Sequence, residues 1–216
     1  MKREMLVEKE KYLENGVHIG TSSKTNDMKR FIYKVMPNGL TVLNLSTLDE
    51  RIGIAADFLA RHKNILVVGR KINKPIETFT KAVGARSITG RFMPGSLTNP
   101  SFRSFFEPDI VLITDPFIDK QVLKEALDIR IPVLALCNTF NQTSYVDLVV
   151  PCNNKGKKSL AMIFFLLSRE ILKSRKEIEK NEDFKYKLED FVESRERSRR
   201  PESSAAHAQR RGRRRD

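Results

Sequence analysis

The sequence is poor in the residues that mark several common classes of protein. It contains no tryptophan, three histidines and two cysteines, Cys137 and Cys152, which have no histidine near them. Zinc sites and disulfide frameworks need clustered or regularly spaced cysteines, so we predict neither, and the cysteine usage suits a reducing cytosol. No arrangement of nucleophile, histidine and acid is visible in the sequence.

Long apolar segments are also missing. The longest run, residues 160–167, is far shorter than the roughly 20 residues that cross a bilayer, and it falls within a helical pattern. The first four residues, MKRE, do not resemble the start of a secretory signal. We therefore expect no membrane contact and a cytoplasmic location.

Nucleotide-binding signatures are absent as well. The sequence has neither G-x-x-x-x-G-K-[ST] nor G-x-G-x-x-G between a strand and a helix. Its glycine-rich candidates, residues 16–20 and 90–95, leave open a nucleotide- or phosphosugar-binding enzyme as the alternative function. Asp109, Asp115 and Asp119 near strand ends suit either a metal ion or helix capping, and capping is favoured. We expect no cofactor, no metal ion, no small-molecule substrate and no catalysis.

Acidic residues are fewer than basic residues. Forty Lys and Arg against 27 Asp and Glu give a formal net charge of +13, and the sequence pI is about 9.9. Such a surplus favours a polyanionic partner, because cations that neutralise phosphates release condensed counterions. A protein-docking scaffold for acidic partners is a further alternative.

Apolar strands alternate with amphipathic helices along the chain. Strands are predicted at residues 40–45, 64–69, 109–114, 132–137 and 147–150, and helices at 2–14, 47–59 (capped by Thr47), 73–83, 119–129 (with Leu127 inward) and from 158. Near-continuous apolar strands between helices indicate a mainly parallel sheet covered on both faces. The predicted fold is a three-layer doubly wound α/β domain.

The charge pattern divides the chain near residue 180. We predict an α/β RNA-binding domain over residues 1–180 and a charged, Arg-rich extension, helical then disordered, over 181–216. Residues 193–216 contain nine Arg, four acidic residues and no large apolar side chain, so the segment is expected to be disordered when free and to order on RNA.

Basic residues collect in segments predicted to be loops, near glycine-rich turns and the start of the last helix. Cations in such positions contact phosphates together with backbone N–H groups. The predicted RNA-binding residues are Lys24, Lys29, Arg30, Lys34, Arg86, Arg91, Arg103, Lys155, Lys157, Lys158, Arg210, Arg211 and Arg213.

Five segments give the chain a family resemblance. They are residues 16–20 (GVHIG), 90–99 (GRFMPGSLTN), 108–116 (PDIVLITDP), 131–139 (IPVLALCNT) and 146–156 (VDLVVPCNNKG). In order and spacing they resemble the motifs of the second protein of the universal small-subunit ribosomal set, the S-two family, in its archaeal branch. The resemblance covers roughly residues 10–172.

The resemblance implies a flavodoxin-like, non-catalytic domain where the head and body of the small subunit meet. It implies binding to small-subunit rRNA and to neighbouring ribosomal proteins, with the 91–99 loop presenting Arg91 to RNA and the 153–158 turn opening the last helix. Bacterial members carry a long helical hairpin after the Leu-Thr-Asn motif. Only residues 100–107 fill that interval here, so the hairpin's contacts are not expected.

Overall fold

The computed structural model describes residues 5–70 and 72–192, which form seven strands and six α-helices. The strands are β1 (Ile32–Val35), β2 (Thr41–Leu43), β3 (Ile65–Gly69), β4 (Arg86–Thr89), β5 (Ile110–Ile113), β6 (Val133–Cys137) and β7 (Leu148–Pro151). The helices are α1 (Lys9–Glu14), α2 (Leu45–Ala60), α3 (Lys74–Val83), α4 (Lys120–Asp128), α5 (Lys157–Ser174) and α6 (Leu188–Phe191). Single 3-10 turns lie at Lys29–Phe31 and Asn181–Asp183.

Five parallel strands form the central sheet in the order β4-β3-β5-β6-β7. Counted within the sheet this is the order 2-1-3-4-5 of flavodoxin-like folds, whose direction of winding reverses between the first and third strands. The reversal lies here between β3 and β5. The predicted doubly wound α/β architecture is confirmed.

The sheet separates two apolar clusters. Alternate strand residues such as Val67, Leu112 and Leu136 face one side and pack with α2, α3 and α5. Their neighbours, such as Val111 and Ala135, face the other side with α4. Because both faces are covered, the strands are apolar throughout, which explains the continuous runs in the sequence.

On the α4 side, a loop replaces the helix that usually connects two parallel strands. Residues 90–109 join β4 to β5, and Phe92 and Leu97 from this loop are buried against the sheet. On α4, Val122, Leu123 and Ala126 are buried, but Leu127 is 49% exposed, so the prediction that it faces inward is wrong. The loop and α4 therefore form the third layer together.

The strand predicted at residues 40–45 lies outside the parallel sheet. It is β2, and it pairs antiparallel with β1, which the sequence did not predict. β1 is mostly exposed, so it lacks the apolar pattern by which strands are recognised. The two strands form a small ribbon beside the carboxyl-terminal edge of the main sheet.

Several helix ends differ from prediction. α1 begins at Lys9 rather than near residue 2. α2 begins after Asn44, whose side chain accepts a hydrogen bond from the Ser46 N–H, so the predicted Thr47 cap is wrong. Asn44 caps earlier because an Asn in extended backbone satisfies a free N–H of the first turn equally well. α3 ends at Val83, as predicted, and Gly84 follows it in the left-handed conformation.

Residues after α5 continue to pack on the domain. Phe184 and Phe191 are buried in the same cluster as α5. The division at residue 180 stays a prediction, and this packing favours a later boundary. The predicted Arg-rich segment 193–216 lies outside the described residues.

None of the helices within residues 5–70 and 72–192 combines the length and the apolar character that a bilayer-spanning helix needs.

Candidate nucleic-acid interface

Basic side chains converge at the carboxyl-terminal edge of the sheet. Arg70 follows β3, Arg91 follows β4 and Lys155 follows β7. Parallel strands end at one edge, so these three residues, although separated in sequence, lie on the same side of the domain. In open α/β sheets this is the edge where ligands bind.

The basic segment 20–31 is fastened to the same edge. The Thr25 N–H donates to the Thr139 carbonyl oxygen at 2.9 Å, and the Thr25 hydroxyl donates to the Asn141 carbonyl oxygen at 2.8 Å. Thr139 lies just beyond the end of β6. These contacts bring Lys24, next to Thr25, to the edge that carries Lys155.

Predicted RNA-binding residues within the described ranges all lie at the surface. The ten exposed side chains are Lys24, Lys29, Arg30, Lys34, Arg86, Arg91, Arg103, Lys155, Lys157 and Lys158. The other three, Arg210, Arg211 and Arg213, lie outside the described residues. Within residues 5–70 and 72–192, six of them form neither an ion pair nor a cation–π contact through their side chains: Lys24, Lys29, Lys34, Arg91, Arg103 and Lys158.

Arg86 is separated from the edge cluster. Arg86 is the first residue of β4, whereas Arg91 follows the end of that strand. These two residues, although close in sequence, therefore lie at opposite ends of β4. The Arg86 guanidinium lies 4.5 Å from the ring centre of Phe106, where a cation–π contact orients it. Arg103, which lies with Phe106 in the loop between β4 and β5, is exposed.

The 16–20 segment is built for close packing. A Cβ on Gly20 would lie 2.2 Å from the Thr41 hydroxyl oxygen and 2.7 Å from a methyl carbon of Thr139. Only glycine fits there. The N–H groups of Gly16, Val17 and Gly20 donate to carbonyl oxygens of the protein itself.

Glu125 shapes the 91–99 loop. Its carboxylate, on α4 and only 4% exposed, accepts hydrogen bonds from the Gly95 N–H at 2.9 Å and the Leu97 N–H at 3.2 Å. Gln121 donates a third bond at 2.9 Å. Gly95 has φ of +87°, a conformation that favours glycine. The buried carboxylate thus fixes the loop that begins at Arg91.

The crevice where the winding reverses is filled by the protein's own side chains. A Cβ on Gly69, the last residue of β3, would lie 2.5 Å from an Ile76 methyl and 2.8 Å from the Thr114 hydroxyl. The remaining free volume beside Arg70 and Asp119 is about 10 Å³. That is room for one water molecule.

Asp119 is buried in this crevice beside Arg70. One guanidinium nitrogen of Arg70 lies 3.5 Å from an Asp119 oxygen, and neither carboxylate oxygen accepts a hydrogen bond from a described residue. Burial raises the pKa of Asp119 to about 6, Arg70 opposes that rise and Asp115 adds to it. Asp119 stands at the N-cap position of α4, but the hydrogen bond expected of a cap is not formed.

The three aspartates do not form a cluster. Asp109 precedes β5 at the opposite edge, where it accepts the Asn64 N–H at 2.9 Å, a bond that lowers its pKa. Asp115 accepts the Phe117 N–H and the Asn141 side-chain amide. Among the described residues, no group of three or more His, Cys, Asp or Glu is placed to hold a metal ion.

Buried amides tie the carboxyl-terminal loops together. Asn141 bridges Asp115, the Asn138 N–H and the Asn154 side chain. The Asn153 oxygen accepts the N–H groups of Lys155 and Gly156, and its nitrogen donates to the Gly16 carbonyl oxygen at 3.0 Å. The 153–158 turn thus opens α5, and its basic residues are presented from a network of fixed geometry.

The two cysteines are buried neighbours. The Cys152 N–H donates to the Cys137 carbonyl oxygen, and both thiols are free. Burial raises the pKa of each thiol, which suppresses the reactive thiolate. In this fold they pack as small apolar side chains.

The candidate interface also includes three residues that the sequence did not predict: Arg70, Phe117 and Lys120. Each of these residues follows an apolar strand or begins the helix after it. That position relative to a predicted strand is the signal in the sequence by which they could have been found. Phe117 is 58% exposed, with the Lys120 ammonium 4.7 Å from its ring centre.

Comparison with known proteins identifies relatives over most of the chain. Residues 12–105 and 101–174 match the family described as Ribosomal protein S2. The protein described as "Small ribosomal subunit protein uS2" from Thermoplasma acidophilum is 45% identical over 195 residues, covering 88% of this chain and 98% of the relative. Its counterpart from Thermoplasma volcanium is 46% identical with the same coverage.

These matches confirm the resemblance found in the five motifs. Both relatives are archaeal, and the family-wide match includes every segment of the motif set. Proteins of this family are ribosome-bound in the cytoplasm and take part in translation. The chain belongs to the ribosomal protein S2 family, in its archaeal branch, and is a protein of the small ribosomal subunit.

Proposed function

We propose that this protein is a non-enzymatic constituent of the small subunit that holds small-subunit rRNA with the exposed cations of its carboxyl-terminal edge and ribbon. It also contacts neighbouring ribosomal proteins where the head and body of the subunit meet, and it supports subunit assembly. The observation that carries the proposal is the set of exposed Lys and Arg side chains on loops of fixed geometry.

The mechanism is electrostatic and based on shape. Each Lys or Arg that meets a phosphate displaces condensed counterions, and the gain grows as salt concentration falls. The loops carrying Arg91 and Lys155 are held by Glu125 and Asn153, so little conformational entropy is lost when their cations meet RNA. No readout of base sequence is proposed for these phosphate contacts.

The alternative of a nucleotide-using enzyme is disfavoured by how its two candidate loops are built. The N–H groups of Gly16, Val17 and Gly20 already donate hydrogen bonds to carbonyl oxygens of the chain. Those of Gly95 and Leu97 donate to the Glu125 carboxylate. A phosphate cradle needs such groups free. The crevice of about 10 Å³ is also far below the roughly 300 Å³ of a small-molecule site.

Salt titration of RNA binding tests the proposal. We expect the affinity of the full chain for a small-subunit rRNA fragment to fall steeply with salt, and Arg91→Gln or Lys155→Gln to reduce the log–log slope by about 1 each. Lys81→Gln, which removes an exposed cation from α3, is the matched control and should change the slope little. A salt-insensitive complex would contradict the proposal.

Two further measurements separate the parts of the proposal. Removing residues 193–216, which carry nine Arg, is expected to weaken binding and lower the slope further. The protein should also cosediment with small subunits on a sucrose gradient and be released when RNA is digested. Retention in an intact assembly after nuclease treatment would favour the protein-docking alternative.

A further inference from the structure

An apolar pocket lies beside the basic edge, between the loop after β5 and the loop before β7. It has a volume of about 200 Å³ and is bounded by two exposed aromatic rings, Phe117 and Tyr145, with Leu123 at its base. This volume is smaller than the roughly 300 Å³ typical of a drug-sized ligand. It suits a single planar ring system.

The charges around the pocket have one sign. Lys120 and Lys124, one turn apart on α4, line it, and none of the described residues that line it is acidic. Beside it, Phe117 and Phe140 meet edge to face at 6.0 Å, and the Lys155 ammonium lies 4.2 Å from the Phe140 ring centre. Lysines and aromatic rings therefore alternate across this surface.

The position of Tyr145 is maintained against backbone strain. Its φ is +65°, a region that a residue with a large side chain rarely adopts. The loop is fastened by the Thr143 N–H and hydroxyl, which both donate to Asp27, and by the Val146 N–H, which donates to the Thr143 carbonyl oxygen. Strain of this kind is typical of ligand clamps.

We propose that this pocket binds one unstacked base of single-stranded RNA, between the rings of Phe117 and Tyr145, with Lys120 and Lys124 on the adjacent phosphates. Exposed aromatic faces combined with a cationic rim are the two components of single-strand recognition. An acidic segment of a protein would use the cations but not the flat rings. The inference rests on the proposed function in that RNA is the partner, but it adds a contact with a base to contacts with phosphates.

A pair of oligomers with equal charge tests the proposal on the full chain. The probes are a fluorescently labelled hexaadenylate RNA and an abasic ribose-phosphate oligomer of the same length. We expect the wild-type protein to bind the base-containing oligomer roughly tenfold more tightly than the abasic one, as one stacked base provides. Phe117→Ala and Tyr145→Gly should bring that ratio to about 1.

Both variants are chosen to stay folded. Phe117 is largely exposed, and Tyr145→Gly removes the ring while relieving the left-handed strain. Ile54→Ala, which trims an apolar side chain 47% exposed on α2, is the control and should leave the ratio unchanged. Lys120→Gln with Lys124→Gln should weaken both oligomers alike.

The outcomes separate this inference from the proposed function. If the wild-type protein binds both oligomers equally, or if the ratio survives in either aromatic variant, binding of a base between Phe117 and Tyr145 is refuted, and a neighbouring protein is then the occupant to test. In that case the salt-dependent binding of rRNA still stands. If neither oligomer binds at low salt while the rRNA fragment does, the inference alone fails; if the rRNA fragment does not bind either, the proposed function fails with it.

Discussion

Replacing Glu125 with glutamine tests whether one buried carboxylate shapes the 91–99 loop. The carboxylate accepts three hydrogen bonds, two of them from the N–H groups of Gly95 and Leu97. A glutamine keeps one acceptor oxygen and turns an N–H₂ group towards a backbone N–H. One charge-assisted bond is lost and a buried donor is left without an acceptor, which costs about 2–3 kcal/mol.

Urea denaturation of the full chain measures this cost. We expect Glu125→Gln to lower the free energy of unfolding by about 2–3 kcal/mol and the melting temperature by roughly 5–10 °C. Asp128→Asn removes an exposed carboxylate from the same helix and is the matched control, with an expected change of at most about 0.5 kcal/mol.

The same pair of variants connects the loop to RNA binding. If Glu125 holds the loop in which Arg91 stands, Glu125→Gln should weaken rRNA binding more than Asp128→Asn does, although both remove one negative charge. A charge effect alone would instead strengthen binding equally in both variants. Equal stability and equal affinity of the two variants would refute the reasoning.

Three other predictions concern buried contacts. Because the pKa of Asp119 is raised from 3.8 to about 6, the folded state binds the proton of this carboxyl group more tightly than the unfolded state does. Ionisation of Asp119 should therefore lower the free energy of unfolding by about 1.4 kcal/mol as pH rises from about 5 to about 7.5. The Asp119→Asn variant should lack this change, and identical pH dependences of the two proteins would contradict the prediction. Gly20→Ala should destabilise by about 1–3 kcal/mol in the same assay, because its Cβ would meet Thr41 and Thr139, while an unchanged midpoint would show that the packing yields. Tyr12→Phe removes a 2.6 Å hydrogen bond to Asp49 and should cost about 1–3 kcal/mol, and a neutral result would mean that water replaces the hydroxyl.

The sequence was sufficient to predict the parallel sheet because its strands are buried on both faces. Four apolar runs correspond to β3, β5, β6 and β7. β4 and β1 were not predicted, since their side chains are largely exposed or half-buried and show no apolar pattern. The error at Thr47 has a similar cause, because Asn44 and Thr47 are both suitable caps and only tertiary packing decides where the chain turns into α2.

The site was harder to predict than the fold. Exposed cations were identifiable from composition and from the family motifs, and all ten within the described ranges are at the surface. The side chains that fix the loops carrying these cations were not identifiable, because they act through contacts between residues far apart in the chain. Glu125 meets Gly95 across 30 residues, and Asn153 meets Gly16 across 137.

The fold is compatible with the proposed phosphate binding without a cavity. A flavodoxin-like sheet offers a crevice beyond the ends of the strands that flank the reversal. Here Ile76 and Thr114 pack against Gly69 and occupy the place where a backbone would approach a nucleotide, and Asp119 and Arg70 close what remains. In the binding mode proposed above, a polymer of phosphates meets side chains spread over several loops from outside, so a filled crevice leaves the carboxyl-terminal edge open for RNA.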